Sequence, residues 1–259
     1  LKNNGFTYDF SWIVTEQDDK FLYKSGNTYK KFLFFVKSIY KRWKDVRGAK
    51  KYDIVFVQRE ALMFRSAWFE KKFARKSKLV YDFDDAIWLM DVSDANKSLA
   101  WLKNPNKTKK IISYAHLVIA GNKYLADYAL QFNKNVHIIP TTIDTDYHKS
   151  DNTQHTSPVC IGWTGTRTTL KHFRLAVPVL KNIFKKYGNK VIFKIICDIP
   201  VNVPELEVHF TPWQTGTEVQ DLQQFDIGIM PLPDDEWAKG KCGFKGLQYM
   251  ALGIPTIMS

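Results

Sequence analysis

Short apolar runs rich in Val and Ile punctuate this chain at 53–58 (DIVFVQ), 78–83 (KLVYDF), 116–120, 136–139, 159–163 (VCIGW), 191–197 (VIFKIIC), 206–210, 225–230 (FDIGIM) and 254–258. Runs of this length and composition predict strands buried on both faces, as parallel sheets require. Between them, apolar residues recur at three- and four-residue spacing. That period predicts helices over 28–47, 60–75, 97–113, 122–132, 168–187, 217–224 and 243–252. Strand and helix alternate, so the fold class is α/β with parallel sheets. A polar, aperiodic stretch at 149–157 (KSDNTQHTS) reads as a linker. Two Rossmann-like doubly wound domains facing a cleft are expected, 1–150 and 151–259. Ligands of such sheets lie beyond the carboxyl ends of the strands, so candidate chemistry is sought just after each run.

The helix predicted over 28–47 carries a second pattern. Phe32, Val36, Ile39, Trp43 and Val46 form one apolar stripe, expected to face the core. Lys30, Lys31, Lys37, Lys41, Arg42 and Lys44 fall on the opposite arc, with Phe34 among them. The composition gives this arc weight. The chain has 38 Lys and Arg against 26 Asp and Glu, net +12, and residues 20–78 alone hold 18 basic and 4 acidic groups. A charge concentrated this way points to a partner surface. An anionic membrane, with Lys30, Lys31, Phe34, Lys37 and Lys41 facing it, is favoured. No nucleic-acid-binding motif accompanies the charge, and simple solvation is the plain alternative.

At 45% hydrophobic and 25% charged residues, the composition is that of a globular protein. Cys160, Cys197 and Cys242 are too widely spaced for a disulfide framework or a CxxC zinc site. A reducing, cytoplasmic compartment is expected, peripheral to the inner face of a membrane. No apolar run approaches the length of a membrane span, and no signal-peptide pattern opens the chain. The chain starts at Leu1 without Met, which reads as a fragment.

Three motifs follow strands. The first is Asp82-Phe83-Asp84-Asp85. Asp82 and Asp84 share a strand face, a spacing found in DxD metal-dependent transferases and in DxD phosphatases; an Asp capping the next turn is the plain alternative. The second is Gly162-Trp163-Thr164-Gly165-Thr166-Arg167-Thr168-Thr169-Leu170-Lys171. A strand ends there, a small-residue loop follows and a helix opens, which favours an anion. The third is Lys239-Gly240-Lys241-Cys242-Gly243-Phe244-Lys245-Gly246-Leu247-Gln248, continuing through Tyr249-Met250-Ala251-Leu252-Gly253-Ile254-Pro255. Lys241 and Lys245 flank a helix start, where basic charge opposes the helix dipole. Charge so placed points to an anionic ligand.

In order and spacing these motifs resemble a family-4 retaining glycosyltransferase of the GT-B type. The resemblance runs through 79–88, 118–125, 136–144, 161–171, 225–232 and 240–255. Its most specific part is KCGFKGLQYMALGIPTIMS, which is similar to the family's E-x7-E segment. Gln248 stands where the second Glu falls and Gly240 where the first falls. The resemblance implies a metal-independent, retaining hexosyltransferase without a cofactor. Its donor is a UDP- or GDP-linked sugar, its acceptor a glycan or lipid-linked sugar. It places Lys171 and Arg167 on the leaving diphosphate, with Lys241, Lys245, Gly165, Thr166, Gly243 and Phe244 around it. Cys197, Asp198 and Trp213 are expected near the base, Gln248 near the ribose. Asp84 stands at the position of a His near the transferred sugar. The family opens with a strand and a Gly-rich loop and closes with further elements, so both ends are expected to be missing. A non-catalytic binding module of the same fold and a DxD metal enzyme are the alternatives.

Overall fold

A computed structural model describes residues 4–22, 26–89, 104–151, 157–204 and 206–259. The chain divides into two compact units, Leu1–Ile139 and Pro140–Ser259. The division falls ahead of the polar stretch 149–157, and residues 152–156 of that stretch lie outside the described residues.

The first unit opens with helices α1 (Glu16–Leu22) and α2 (Thr28–Gly48). The strands are β1 (Ile54–Gln58), β2 (Lys78–Phe83), β3 (Leu117–Ala120) and β4 (Val136–Ile138), with α3 (Trp68–Ala74), α4 (Asn106–Tyr114) and α5 (Lys123–Leu130) between them. They form one parallel sheet in the order β1-β2-β3-β4. Leu79, Tyr81, Phe83, Val118 and Ala120 lose all contact with solvent. Alternate residues of β2 supply that core, so Asp82 and then Asp84 fall on the other side.

Two expectations fail here, for related reasons. The helix expected over 60–75 begins only at Trp68. Residues 60–67 give their backbone to buried side chains instead. The Ala61 N–H donates to Glu70 Oε1 at 3.0 Å, and Lys107 Nζ donates to the Leu62 carbonyl at 2.5 Å. Arg42 Nε donates to the Ala61 carbonyl at 2.5 Å. The second failure is the face of α2. Phe32, Val36, Ile39 and Trp43 are exposed, and of the expected stripe only Val46 is buried. The inward face instead holds Phe34 against Phe21, Phe35 against Phe64, Ser38, and Arg42 paired with Asp45 at 2.7 Å. A partly buried Arg that finds carbonyl and carboxylate partners outweighs the apolar periodicity. Phe34 is therefore a packing residue. Lys30 and Lys37 are exposed, while Lys31 and Lys41 lie half-buried.

The second unit contains β5 (Val159–Gly165), α6 (Leu170–Tyr187), β6 (Val191–Cys197), β7 (His209–Pro212), α7 (Glu218–Leu222), β8 (Ile227–Met230), α8 (Glu236–Lys239), α9 (Phe244–Ala251) and β9 (Thr256–Met258). Its sheet is parallel throughout, in the order β7-β6-β5-β8-β9. Trp163, Phe193, Ile195 and Cys197 face α6 on one side, packed with Phe173, Val177 and Leu180. Cys160, Ile196, Leu222, Phe225, Tyr249 and Leu252 make the core on the other. Helices thus cover both faces, which is the doubly wound architecture. The strand order reverses between β5 and β8, and that switch point is where such sheets open a crevice at their carboxyl ends. Residues 206–208 precede β7 without pairing; Leu206 and Val208 pack under the sheet. Of the helix expected over 97–113, residues 97–103 lie outside the described residues. The short helices α1 and α8 carry no apolar periodicity that would have announced them.

Lys107 and Glu70 are each 1% exposed, with Nζ 3.7 Å from Oε1. Replacing Lys107 by Ala strands a buried carboxylate, and a loss of about 3–5 kcal/mol is expected in urea unfolding. The double change Lys107→Met with Glu70→Leu is expected to recover most of it.

Candidate functional site

The switch point of the second sheet gathers most of the residues singled out in the sequence. The turn leaving β5 is closed by its own threonines: the Thr166 N–H donates to Thr169 Oγ1 at 2.9 Å, and the Leu170 N–H to the Thr166 carbonyl at 3.0 Å. Gly165 is required there, since a Cβ would lie 2.2 Å from the Trp163 ring and 2.7 Å from Thr169 Oγ1. The Arg167 N–H donates to Asp198 Oδ1 at 2.6 Å, tying the turn to the end of β6. Arg167 and Lys171 are exposed at the mouth of this turn.

The other wall is the N-terminus of α9. Gly243 caps it at φ +70° and brings no side chain to accept from the first turn, and a Cβ there would meet nothing within 4 Å. First-turn amides without a partner in an open space attract an anion. Lys245 sits in that turn with Nζ 4.6 Å from the Trp163 ring centroid and 3.4 Å from Thr169 Oγ1. Burial, reinforced by the charge of Lys241, pulls the Lys245 ammonium down to about 8. Lys241 Nζ lies 3.7 Å from the centre of the Trp237 ring, and Lys171 Nζ lies 5.5 Å from it. His172 stacks on the same indole, centroids 5.2 Å apart and planes 15° from parallel. Burial holds His172 below the usual imidazole range, aided by Lys171, Lys245 and Lys241. Its Nε2 is buried and makes no hydrogen bond.

The remaining candidates divide. Cys197 is fully buried, its thiol 3.3 Å from Asp198 Oδ1, so within this group Asp198 and Trp213 are the exposed members. The Trp213 N–H donates to the Cys197 carbonyl and its indole to Glu218, both at 2.9 Å. Phe244 is exposed beside Gly243. Gln248 is 3% exposed and its Nε2 lies 3.3 Å from Nε2 of His148. An amide nitrogen only donates, so His148 Nε2 accepts and its Nδ1 donates to the Asp144 carbonyl at 3.1 Å.

Asp84 belongs to the first unit, at the carboxyl end of β2. Arg59 closes over it: Nε reaches Asp84 Oδ1 at 2.8 Å and Nη2 reaches Asp85 Oδ2 at 3.1 Å. Arg59 adopts φ +59°, a left-handed backbone that non-glycine residues rarely take, and its N–H donates to the Asp82 carbonyl at 2.7 Å. Burial, then the neighbouring Asp84, raises the Asp82 carboxyl. Among the described residues no group of three His, Cys, Asp or Glu could hold a metal ion. The carboxylates of this cluster are compensated by a guanidinium. Sequence reasoning missed Arg59, His172 and Trp237. Arg59 directly follows a strand, which was the available signal.

No family model matches the sequence, and no curated protein matches it. Solved structures do. TarM superposes with a TM-score of 0.57 at 14% identity, covering 87% of this chain and 44% of that one. α,α-Trehalose 6-phosphate synthase from Burkholderia multivorans gives 0.57 at 8% identity, covering 88% and 61%. A mutant of S. aureus TarM in complex with fondaparinux, α-GlcNAc-glycerol and UDP gives 0.50 at 16% identity, covering 71% and 37%. These are GT-B glycosyltransferases. The chain has their fold. It spans between about a third and two-thirds of their length.

The Lys245 environment predicts a pH dependence. Without ligand, the depressed ammonium means the unfolded chain binds more protons between about pH 8 and 10.5, so stability gains from this group as pH rises through that window. An anion beside Nζ favours the charged form. Affinity for an anion such as inorganic pyrophosphate is therefore expected to fall above about pH 8, with proton uptake on binding. Calorimetry in buffers of different ionisation enthalpy measures that uptake, and Lys245→Arg should remove it.

Proposed function

We propose that the chain carries the donor site of a glycosyltransferase that moves a hexose from a nucleoside-diphosphate sugar to a glycan or lipid-linked acceptor, with retention and without a metal. One observation carries this reading. Lys171, Lys241 and Lys245 converge with the open N-terminus of α9 at the switch point of the second sheet. The leaving group in such a transfer is a diphosphate, and fixed cations with oriented amides supply the electrostatic stabilisation that a metal would otherwise give. TarM has been crystallised with UDP, which favours a uridine donor. In this reading Arg167 and Lys171 meet the diphosphate, and Asp198 and Trp213 lie toward the base. Asp84, steadied by Arg59, acts on the transferred sugar or the acceptor.

The donor assignment is tested by calorimetry with UDP, GDP and their sugars. UDP binding is expected, and Lys171→Ala and Lys245→Ala should each weaken it by about 1.5–3 kcal/mol, as loss of a charged hydrogen bond does. Wild-type affinity in both variants would remove the lysines from the site. Slow donor hydrolysis or transfer that survives chelation separates the transferase from a binding module and from a metal enzyme.

A membrane-bound acceptor is the second part of the proposal, and α2 supports it. No helix among the described residues is long and apolar enough to cross a membrane. Yet α2 presents Tyr29, Phe32, Leu33, Val36, Ile39, Tyr40 and Trp43 to solvent, bordered by Lys30, Lys37, Lys44 and Arg47. Such a face suits the interface of an anionic leaflet. Sedimentation with vesicles containing phosphatidylserine is expected, declining with salt. Phe32→Glu with Val36→Glu should abolish it, whereas equal binding to neutral vesicles would exclude the electrostatic part.

A further inference from the structure

The three lysines at the switch point share a small space, and like charges there repel. Their arrangement shows what holds them. Lys241 lies over the face of Trp237 at 3.7 Å and Lys171 at 5.5 Å from the same centroid. The indole is itself fixed. His172, 5% exposed, stacks on it nearly parallel, and α8, which carries Trp237, is capped by Asp235 accepting from the Ala238 N–H at 2.8 Å. The two lysines come from separate segments, one in the first turn of α6 and one in the loop before α9. Nothing in the local sequence of either segment would bring them together. The ring face offers a negative quadrupole that attracts both ammoniums. The imidazole beside it is kept neutral by burial and by the lysines, so it adds no fourth positive charge. Its Nε2 is buried and makes no hydrogen bond.

We propose that Trp237 is a positioning residue for the donor diphosphate: its indole, seated on His172, gathers Lys171 and Lys241 onto one ring and holds them where the phosphates will lie. This rests on the donor-site reading above and goes beyond it by naming the device that assembles the site. Trp237 itself makes no bond to the phosphates. Both ammoniums rest on its ring, which ties Lys171 of α6 to Lys241 of the loop before α9. When the diphosphate arrives, their charge is already gathered, and less order must be imposed at binding.

The test is calorimetry with UDP, and with inorganic pyrophosphate as a probe lacking base and ribose. Three variants are compared, Trp237→Leu, Trp237→Phe and Trp237→Tyr, each with its melting temperature in the absence of ligand. Trp237→Leu is expected to lose about tenfold in affinity for both probes, the scale of a partly desolvated cation–π contact. Tyr and Phe keep an aromatic face and should fall between, with Tyr and Phe both above Leu. Should Trp237→Leu fail to fold, the ranking of wild type above Tyr and Phe decides. Undiminished affinity in Trp237→Leu, or an equal loss in Leu, Tyr and Phe, overturns the proposal, since packing rather than the ring face would then account for the residue. Wild-type protein that binds UDP while the variants match it defeats only this inference. Wild-type protein that binds neither UDP nor pyrophosphate at millimolar concentration defeats the donor-site reading, and this inference with it.

Discussion

Everything at the candidate site follows from one electrostatic constraint: several ammonium groups must be held together, one of them largely buried, without a carboxylate to pair with it. Lys245 forms no ion pair among the described residues. It rests against the Trp163 ring and a threonine hydroxyl. Burial pulls its ammonium down to about 8, so the folded chain carries a standing cost at neutral pH. Aromatic faces reduce that cost at two places, Trp163 under Lys245 and Trp237 under Lys241 and Lys171. An Asp or Glu in place of Trp163 would instead pair with Lys245 and neutralise it.

The acidic residues of the first unit obey the complementary constraint. Asp82, Asp84 and Asp85 end one strand, and three carboxylates in four residues repel. Arg59 answers by forking between Asp84 and Asp85 from the end of the neighbouring strand. Its left-handed backbone is the local strain that lets the guanidinium turn back over them. Parallel pairing of β1 with β2 in the register Gln58 to Asp82 brings the two strand ends level. This arrangement fixes the Asp84 carboxylate at the end of β2.

The fold was largely legible because parallel strands buried on both faces announce themselves as apolar runs, and the glycine-rich turns after them mark the carboxyl edge. Lys171, Lys241 and Lys245 were legible for the same reason: basic residues at helix starts contradict the local dipole preference. What escaped was decided by partners distant in sequence. Trp237 reads as one aromatic in an acidic loop until His172 is seen beneath it. The stripe on α2 follows helical periodicity faithfully, yet the buried face is the one carrying Arg42 and Asp45. Their bonds to Ser11 and to the Ala61 carbonyl depend on segments some twenty to thirty residues away in either direction. Apolar periodicity marks that a helix has two faces; it does not say which polar residues will find partners.

Gln248 shows how such a distant partner sets the local chemistry. A glutamate there would only accept, and a neutral His148 could meet it only by moving its proton to Nε2 and giving up the bond from Nδ1 to the Asp144 carbonyl. Gln248 donates instead, and His148 passes the polarity on to the Asp144 carbonyl. Both side chains are buried, so a neutral, fully matched pair costs less than a buried ion pair with a charged imidazole. Gln248, His148 and the Asp144 carbonyl thus form one donor-to-acceptor chain without a charge.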